Sequence, residues 1–428
     1  MTAHNSTVRA VDLFAGSGGT STGLVRACER LGRKIELTAV DHWPLAIETH
    51  SSNYPWARHE CARIDELDPK AVAPKGQIDI LVASPECTHF SRARGAAPKD
   101  GQSRASGWDV LRWVEQLRPR DVIMENVAEW RDWGPIDDST GEAIEGRKGE
   151  TFAAFVDALS AIGYRVEWRL LNAADYGAAT TRVRLFVRAR RGRRAPMWPL
   201  PSHAKTRGGL LDLGATWRPA SEIIDWALPS RSIFGRAKPL RPKTLARIER
   251  GIAKFWGAYA EPFLVLLRGT GSARSVDLPL PTLTAGGQHV GVVEPFIVTP
   301  GGCDLGGPRS ARDPLPTVMA RDRFAVVEPF MLSQGSTGAP RPVSQPAPTI
   351  VTAGAVAMVE PILLPYDIRF RMLQPDELRA AMGFPAGYRL AGNRGDQVKQ
   401  IGNAVCVDVA EALCAAALTD ALDEEDPS

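Results

Sequence analysis

A doubly wound α/β sheet carrying an inserted β-rich domain is the architecture this sequence predicts, on three observations. Up to about residue 190, short apolar runs alternate with amphipathic helical stretches, the order that builds a mostly parallel sheet covered on both faces. From Pro196 the chain turns Pro- and Gly-rich, and an internal repeat of roughly 33 residues sets in. Helical patterning then returns near QPDELRAAMGFP. At 428 residues the chain is long for one core. The predicted division is therefore residues 1–195, 196–364 and 365–428, the last rejoining the first.

The strands expected in the first domain are VRAVDLFA, KIELTAVD, IDILVASP, DVIMENV, YRVEWRLLN and RVRLFVRA, with STGLVRACERLG and GETFAAFVDALSAIG as helices between them. Ligands of such sheets bind at the carboxyl ends of the strands. Four strands here end on polar or small residues: Phe14-Ala15-Gly16, Asp41, Ser84-Pro85-Glu86-Cys87 and Glu125-Asn126. In the middle domain the repeat is anchored by Glu261-Pro262, Glu294-Pro295, Glu328-Pro329 and Glu360-Pro361, separated by Gly-rich loops and proline-bounded turns. Proline in these runs predicts edge strands and turns.

Composition narrows the classes. With 44% hydrophobic and 24% charged residues the chain reads as an ordinary soluble globular protein. No run approaches about 18 uninterrupted apolar residues, so no membrane span is expected, and the first residues lack a signal-peptide pattern. The six cysteines form no CxxC pair and the seven histidines complete no ligand cluster, so no metal is expected and a reducing cytoplasm is. A net charge of +3 does not argue for nucleic acid in bulk. The basic run VRARRGRRAP, Val187 to Pro196, reads equally as a solvated linker or a phosphate contact.

The first strand runs into VDLFAGSGGTSTGL, where Gly16, Gly18 and Gly19 precede a helix. Such a turn lets backbone approach a ligand and offers free N–H groups to an anion; a dinucleotide, a nucleotide or S-adenosylmethionine all suit it. Asp41 ends the second strand, placed to accept both hydroxyls of a ribose, and His42 is placed to stack on a base. Cys87 follows the next strand directly and precedes a loop rich in Gly, Ser and Arg. A lone cysteine is usually a small buried hydrophobe, but at a strand end beside a basic loop a nucleophile is the better reading. Glu125 arrives at the same edge, and Arg182 and Arg184 share one face of a strand. A thiol, a carboxylate, two arginines and a nucleotide-like pocket suggest covalent chemistry on a polar heterocycle.

With these residues in order, the sequence resembles the cytosine-C5 DNA methyltransferase family. VDLFAGSGG, with Phe14, is similar to its cofactor loop and Asp41 to its ribose-binding acid. Cys87 matches its catalytic cysteine and Glu125-Asn126-Val127 its Glu-Asn-Val motif. Arg182 and Arg184 match its paired arginines, FRMLQPDELRAAMGFP its ninth motif, and QIGNAV with Asn403 its tenth. The resemblance implies a Rossmann-like domain using S-adenosylmethionine, with Phe14, Gly16, Gly18, Gly19, Asp41, His42 and Asn403 at the cofactor. It implies that Cys87 adds to C6 of a cytosine flipped from double-stranded DNA while Glu125 hydrogen-bonds the base and Arg182 and Arg184 contact its O2 or hold the active-site loop. The repeat domain occupies the target-recognition position, so its loops would read the major groove. A monomer is expected, with a cognate restriction endonuclease as a candidate companion and a bacterial or phage-encoded source.

Three departures stand out: Glu86 where the family has proline, Ala179-Thr180 where it has Pro-x-Gln, and Arg63, with Asp65 nearby, where many members carry the acid that meets adenine. The alternatives are a tRNA cytosine methyltransferase, a catalytically silent DNA-binding relative, and a nicotinamide-dependent oxidoreductase. The large repeat module argues for DNA over tRNA, the retained Cys87, Glu125 and both arginines against a silent protein, and Cys87 with the ENV strand against the oxidoreductase.

Overall fold

Val8, Ala10, Val11 and Leu13 are fully buried, and the strand they form, β1 (Thr7–Leu13), runs through the interior of a seven-stranded sheet. In chain order the unit continues with α1 (Gly19–Arg30), β2 (Lys34–Asp41), α2 (Pro44–Asn53), β3 (Arg58–Cys61), α3 (Pro69–Val72), β4 (Ile80–Ala83), α4 (Gln102–Leu117), β5 (Asp121–Asn126), α5 (Glu150–Ala161), β6 (Tyr164–Asn172) and β7 (Val183–Arg191). The sheet order is β3-β2-β1-β4-β5-β7-β6. The first five strands are parallel, and β7 runs antiparallel between β5 and β6. The computed structural model describes residues 7–85, 102–135, 137, 144–205, 215–255, 262–267, 273–285, 289–297, 309–310, 330–333, 341–342, 356–359 and 366–425.

Alternation decides the two faces. Val11, Leu13, Leu81, Ala83, Val122, Met124 and Val187 pack with Val110, Trp113, Phe155 and Leu159 of α4 and α5. The alternate residues look the other way, where α1 lies against α9 (Val407–Glu425). The stretch Arg394–Thr419 is long and apolar enough to cross a membrane by composition. However, 78% of its most apolar window is buried inside the protein, as suits a core helix.

The basic run behaves differently from either expectation. Val187–Arg191 is the second half of β7, an interior strand, and Arg188 and Arg190 are both 0% exposed. Arg188 Nη2 lies 2.7 Å from Asp121 Oδ1, and its Nη1 donates to the Met197 carbonyl. The strand was expected from RVRLFVRA, but its arginines were read by charge alone, whereas a buried guanidinium with a carboxylate partner can take a core position. Only Arg193 and Arg194 sit on the surface.

Contacts divide the chain into Met1–Asp225 with Val276–Gln288 and Gln374–Ser428, and Trp226–Ser275 with His289–Leu373. The divisions thus fall after Asp225 and Leu373, not after 195 and 364, and a short segment inside the expected middle domain belongs to the first unit. That segment pairs with the sheet unit through Leu280–Pro281 alongside Thr180–Thr181. The first unit closes with α7 (Pro375–Ala381), α8 (Arg394–Asn403) and α9.

The second unit holds α6 (Pro242–Phe255) and an antiparallel sheet of β8 (Phe263–Leu266), β9 (Ala273–Ser275), β10 (Val290–Ile297) and β13 (Tyr366–Met372). A three-stranded sheet contains β11 (Phe330–Ser333) and β12 (Val356–Val359). Phe263, Val265, Val293 and Phe370 of the larger sheet form a buried core with Ile248 of α6. Pro295 lies within interior β10, not at an edge. On one side it faces Ile368; on the other, pairing with β8 ends at Val293 and the Arg309–Ser310 strand takes over at Phe296. The missing proline N–H falls in that gap, which is how an interior strand tolerates it. The loops at 268–272 and 301–307, and most of that at 333–338, lie outside the described residues.

Candidate active site

After Leu13 the chain turns through Phe14 and Gly16, at φ 56° and 53°, and Gly18 at 84° enters α1. A non-glycine residue in this region is uncommon, and Phe14 adopts it while packing on the sheet core. Gly18 and Gly19 are fixed by contact as well as conformation. A Cβ on Gly18 falls 2.5 Å from the Tyr388 hydroxyl, and one on Gly19 falls onto the Val405 carbonyl. α1 begins without a side-chain cap, so its first N–H groups are available to a polar ligand.

Asp41 closes the other side of this turn. Its Oδ2 accepts the Gly16 N–H and its Oδ1 the Trp43 N–H, both at 2.8 Å. Each oxygen retains a second lone pair, so the carboxylate can bind a hydroxyl while pinning the glycine turn to the end of β2. Sequence reading assigned only the first task. His42 is half exposed, with Nδ1 3.7 Å from Asp41 Oδ1. Arg63 holds Asp65 through two hydrogen bonds of 3.1 and 3.2 Å. That bonding keeps the Asp65 carboxyl below the usual range.

The C-terminal segments brace the turn from beneath. The Tyr388 hydroxyl donates to the Ser17 carbonyl at 2.5 Å, and Ser17 Oγ donates to the Gln400 carbonyl at 3.3 Å. Gln400 is locked in turn: Thr49 Oγ1 donates to its Oε1 at 2.6 Å and its Nε2 donates to the Ala391 carbonyl at 2.9 Å. Asn403, the residue picked from QIGNAV, is exposed at the end of α8. The contact with the glycine turn comes through Gln400, the first residue of that motif. Tyr388 carried no motif signal, and only its packing reveals it.

Asp12, two residues before Phe14, points to the α1 face and is 0% exposed. Ser21 Oγ donates to its Oδ2 at 2.6 Å, while Oδ1 is buried without a hydrogen bond. Burial pushes this carboxyl from 3.8 up to about 7. Between those values the folded protein holds a proton that the unfolded chain releases. Its contribution is therefore full below about pH 4 and lost as pH rises through about 7. Asp12→Asn is expected to gain stability relative to wild type as pH climbs across that window, read from urea midpoints. The difference separates Asp12 from His50, whose burial pushes its imidazole down to about 3 and which destabilises in the opposite direction, as pH falls below about 6.5. Parallel midpoint profiles for the two proteins would show that Asp12 does not titrate there.

Glu125 lies at the carboxyl end of β5, 8% exposed. Arg184 Nε stands 3.2 Å and Arg182 Nη2 3.9 Å from its Oε1. Both arginines thus face this carboxylate, a meeting the sequence reading did not include, and the two differ. Arg182 is 4% exposed, and its Nη1 donates to the Leu283 carbonyl at 2.9 Å and the Gly402 carbonyl at 3.0 Å. Its position is that of a structural tie. Arg184 is the more open of the two, with a side chain 17% exposed.

Asn126, next to Glu125, is the other residue whose role the sequence alone did not define. Its Nδ2 donates to the Pro85 carbonyl at 3.2 Å, and its Oδ1 accepts the Val127 N–H at 2.8 Å. The amide thus ties the end of β5 to the chain leaving β4. Glu86 and Cys87 lie outside the described residues, two positions at most beyond that tie. Ser84, Glu125 and Thr20 line one small cavity behind the carboxylate, so the β4 and β5 ends and the start of α1 converge. A nucleotide-like pocket with a caged carboxylate and an adjoining cysteine segment suits group transfer to a polar ring.

Comparison with known proteins bears on that arrangement. The family model of C-5 cytosine-specific DNA methylase matches residues 8–207 and 332–418, more than half of the chain. Type II methyltransferase M.Sau3AI of Staphylococcus aureus is 27% identical over 189 residues, 42% of this chain and 42% of the relative. Type II methyltransferase M.XorII of Xanthomonas oryzae pv. oryzae is 32% identical over 251 residues, 56% of this chain and 53% of the relative. The chain thus spans about half the length of these curated relatives. In fold it is similar to Spodoptera frugiperda DNMT2, with a TM-score of 0.54 at 16% identity. That alignment covers 97% of this chain and 99% of the other.

Proposed function

The chain belongs to the C-5 cytosine-specific DNA methylase family, and on that premise we propose that it methylates C5 of a cytosine in double-stranded DNA, using S-adenosylmethionine. The observation that carries the reading is the caging of Glu125 by Arg182 and Arg184 at the strand end next to Pro85. The cofactor fits the residues present. The start of α1 carries no side-chain cap, which leaves its first N–H groups for a polar ligand, and Asp41 keeps acceptor capacity at the end of β2. Phe14, Gly16 and His42 lie around the same turn. Bound there, S-adenosylmethionine supplies an electrophilic methyl group.

The protein's own groups supply the rest. The Cys87 thiolate adds to C6 of the ring, which raises electron density at C5. Glu125 accepts from the exocyclic amine with one oxygen and shares a proton with N3 through the other, favouring that flow, and Arg184 holds the carboxyl group in place. After C5 is methylated, loss of its proton returns the electrons to the ring and expels the thiolate. Both ring carbons are shielded in the base stack, so the base must be extruded. Incubating the protein with tritiated S-adenosylmethionine and either duplex DNA or tRNA tests the reading. Label in 5-methylcytosine of DNA is expected. Label confined to tRNA, or to neither, would reject it.

Asp41→Ala is expected to weaken S-adenosylmethionine binding by roughly 10- to 150-fold, the value of one charge-assisted hydrogen bond. Calorimetry returning wild-type affinity would move the cofactor elsewhere. The second unit is proposed to recognise the target, with a cognate endonuclease as companion and a monomer as the acting form. Replacing one of the loops at 268–272, 301–307 or 333–338 is expected to change which sites are methylated at an unchanged rate of transfer. Bisulfite sequencing that shows the same motif would assign the repeats to stability alone.

A further inference from the structure

We propose that the open edge of β2 docks an acidic, extended peptide segment of a partner protein, at the end of the sheet opposite the candidate active site. β2 spans Lys34–Asp41, but β3 pairs only with Thr38–Asp41. Among the described residues, the first half of β2 therefore has a strand neighbour on the β1 side alone. The Ala15 N–H donates to the Val40 carbonyl. By the alternation of a parallel strand, Ile35 and Leu37 thus direct their backbone groups away from β1. An edge of this kind is a template for a further strand.

Beside that edge lies a cleft of about 900 Å³, in the range of sites that enclose a ligand. Leu37, Val72 and Trp56 give it apolar lining, and Trp56 is 52% exposed. Its far wall is fixed in place by two hydrogen bonds: Thr38 Oγ1 of β2 donates to the Val72 carbonyl at 3.3 Å, and Arg58 Nη1 of β3 to the Ala71 carbonyl at 3.0 Å.

Arg33 gives the site its sign. It lines the cleft at only 8% exposure, and its Nε and Nη1 are buried with no hydrogen-bond partner among the described residues. A buried guanidinium in that state calls for an anion. Lys34, Lys70 and Lys75 add positive charge to the lining. The two acidic residues there are Glu29 and Glu36, of which Glu36 already faces Arg9 at 3.6 Å. A carboxylate side chain on a strand added to β2 would meet Arg33 while its backbone satisfied the edge. The nearest lining residue of β2, Thr38, is three residues short of Asp41, about 10 Å along the strand, so occupancy of the cleft leaves the cofactor turn free.

A fluorescein-labelled hexapeptide alternating glutamate and valine is the probe, read by anisotropy on the full chain. Saturable binding is expected, weakened at least tenfold by Arg33→Gln, by Lys75→Glu, and by N-methylation of alternate peptide residues. A lysine–valine peptide is expected not to bind. Should Arg33→Gln fail to fold by circular dichroism, Lys34→Glu with Lys75→Glu carries the test. The proposal is overturned by absence of binding, by binding indifferent to Arg33 or to N-methylation, or by full competition from inorganic phosphate or a DNA duplex. The methylation assay on the same protein separates this outcome from failure of the proposed activity.

Discussion

Cys87→Ser is expected to abolish covalent capture of a duplex carrying 5-fluorocytosine and to lower methyl transfer by about 10⁴-fold or more, the scale of loss when a covalent nucleophile is removed. Addition of the thiolate to C6 and methylation of C5 would proceed on the fluorinated ring. The last step would then fail, because fluorine cannot leave C5 as a proton does. Wild-type protein should therefore migrate as a DNA adduct on a denaturing gel. A serine hydroxyl is a far weaker nucleophile at neutral pH, so the variant should bind DNA and fold normally yet leave no adduct. An undiminished adduct would place the nucleophile elsewhere. The same gel separates Cys87 from Cys28, Cys406 and Cys414, which are buried free thiols. Burial pushes Cys406 up to about 12, away from thiolate chemistry.

The second large effect concerns stability. Arg182→Ala is expected to destabilise the protein by about 3–5 kcal/mol, because breaking a buried pair leaves its partners uncompensated. The lost guanidinium serves the Leu283 and Gly402 carbonyls and faces Glu125 from 3.9 Å. In a unit of this size that corresponds to a fall of roughly 10 °C in melting temperature. Arg184→Ala should behave oppositely. Its side chain is more open, so the stability loss is about 1 kcal/mol or less, while methyl transfer falls because Glu125 loses its nearer cation. Calorimetric scans and initial rates on both variants decide the matter. Equal melting temperatures would mean that Arg182 is not the tie its contacts describe.

Much of this was legible in the sequence, for identifiable reasons. The strand ends were readable because apolar runs stop abruptly at Phe14, Asp41, Pro85 and Glu125, and the described strands stop there too. Period-two spacing placed Arg182 and Arg184 on one face, but their convergence on Glu125 depends on β5 and β7 being neighbours, which spacing does not give. Arg188 and Arg190 were misread because charge is normally an exterior signal, which for Arg188 tertiary pairing with Asp121 reverses. Tyr388 and Gln400 act through contacts with Ser17 more than 370 residues away in the chain, a separation that no local pattern encodes. Asn126 was quoted as part of a motif, yet its bond to the Pro85 carbonyl depends on β4 and β5 being neighbours.

The return of Val276–Gln288 to the sheet unit has a practical bearing on transplanting specificity between relatives. A recombination event, natural or engineered, that exchanges the whole interval from 226 to 373 would carry off Leu280, which pairs with Thr180, and Leu283, which receives Arg182. Such a chimera would inherit a foreign plug in its own sheet unit. A graft made in two pieces, at 226–275 and 289–373, would keep the native plug between them. The reading surface would then be exchangeable as two cassettes flanking a fixed spacer.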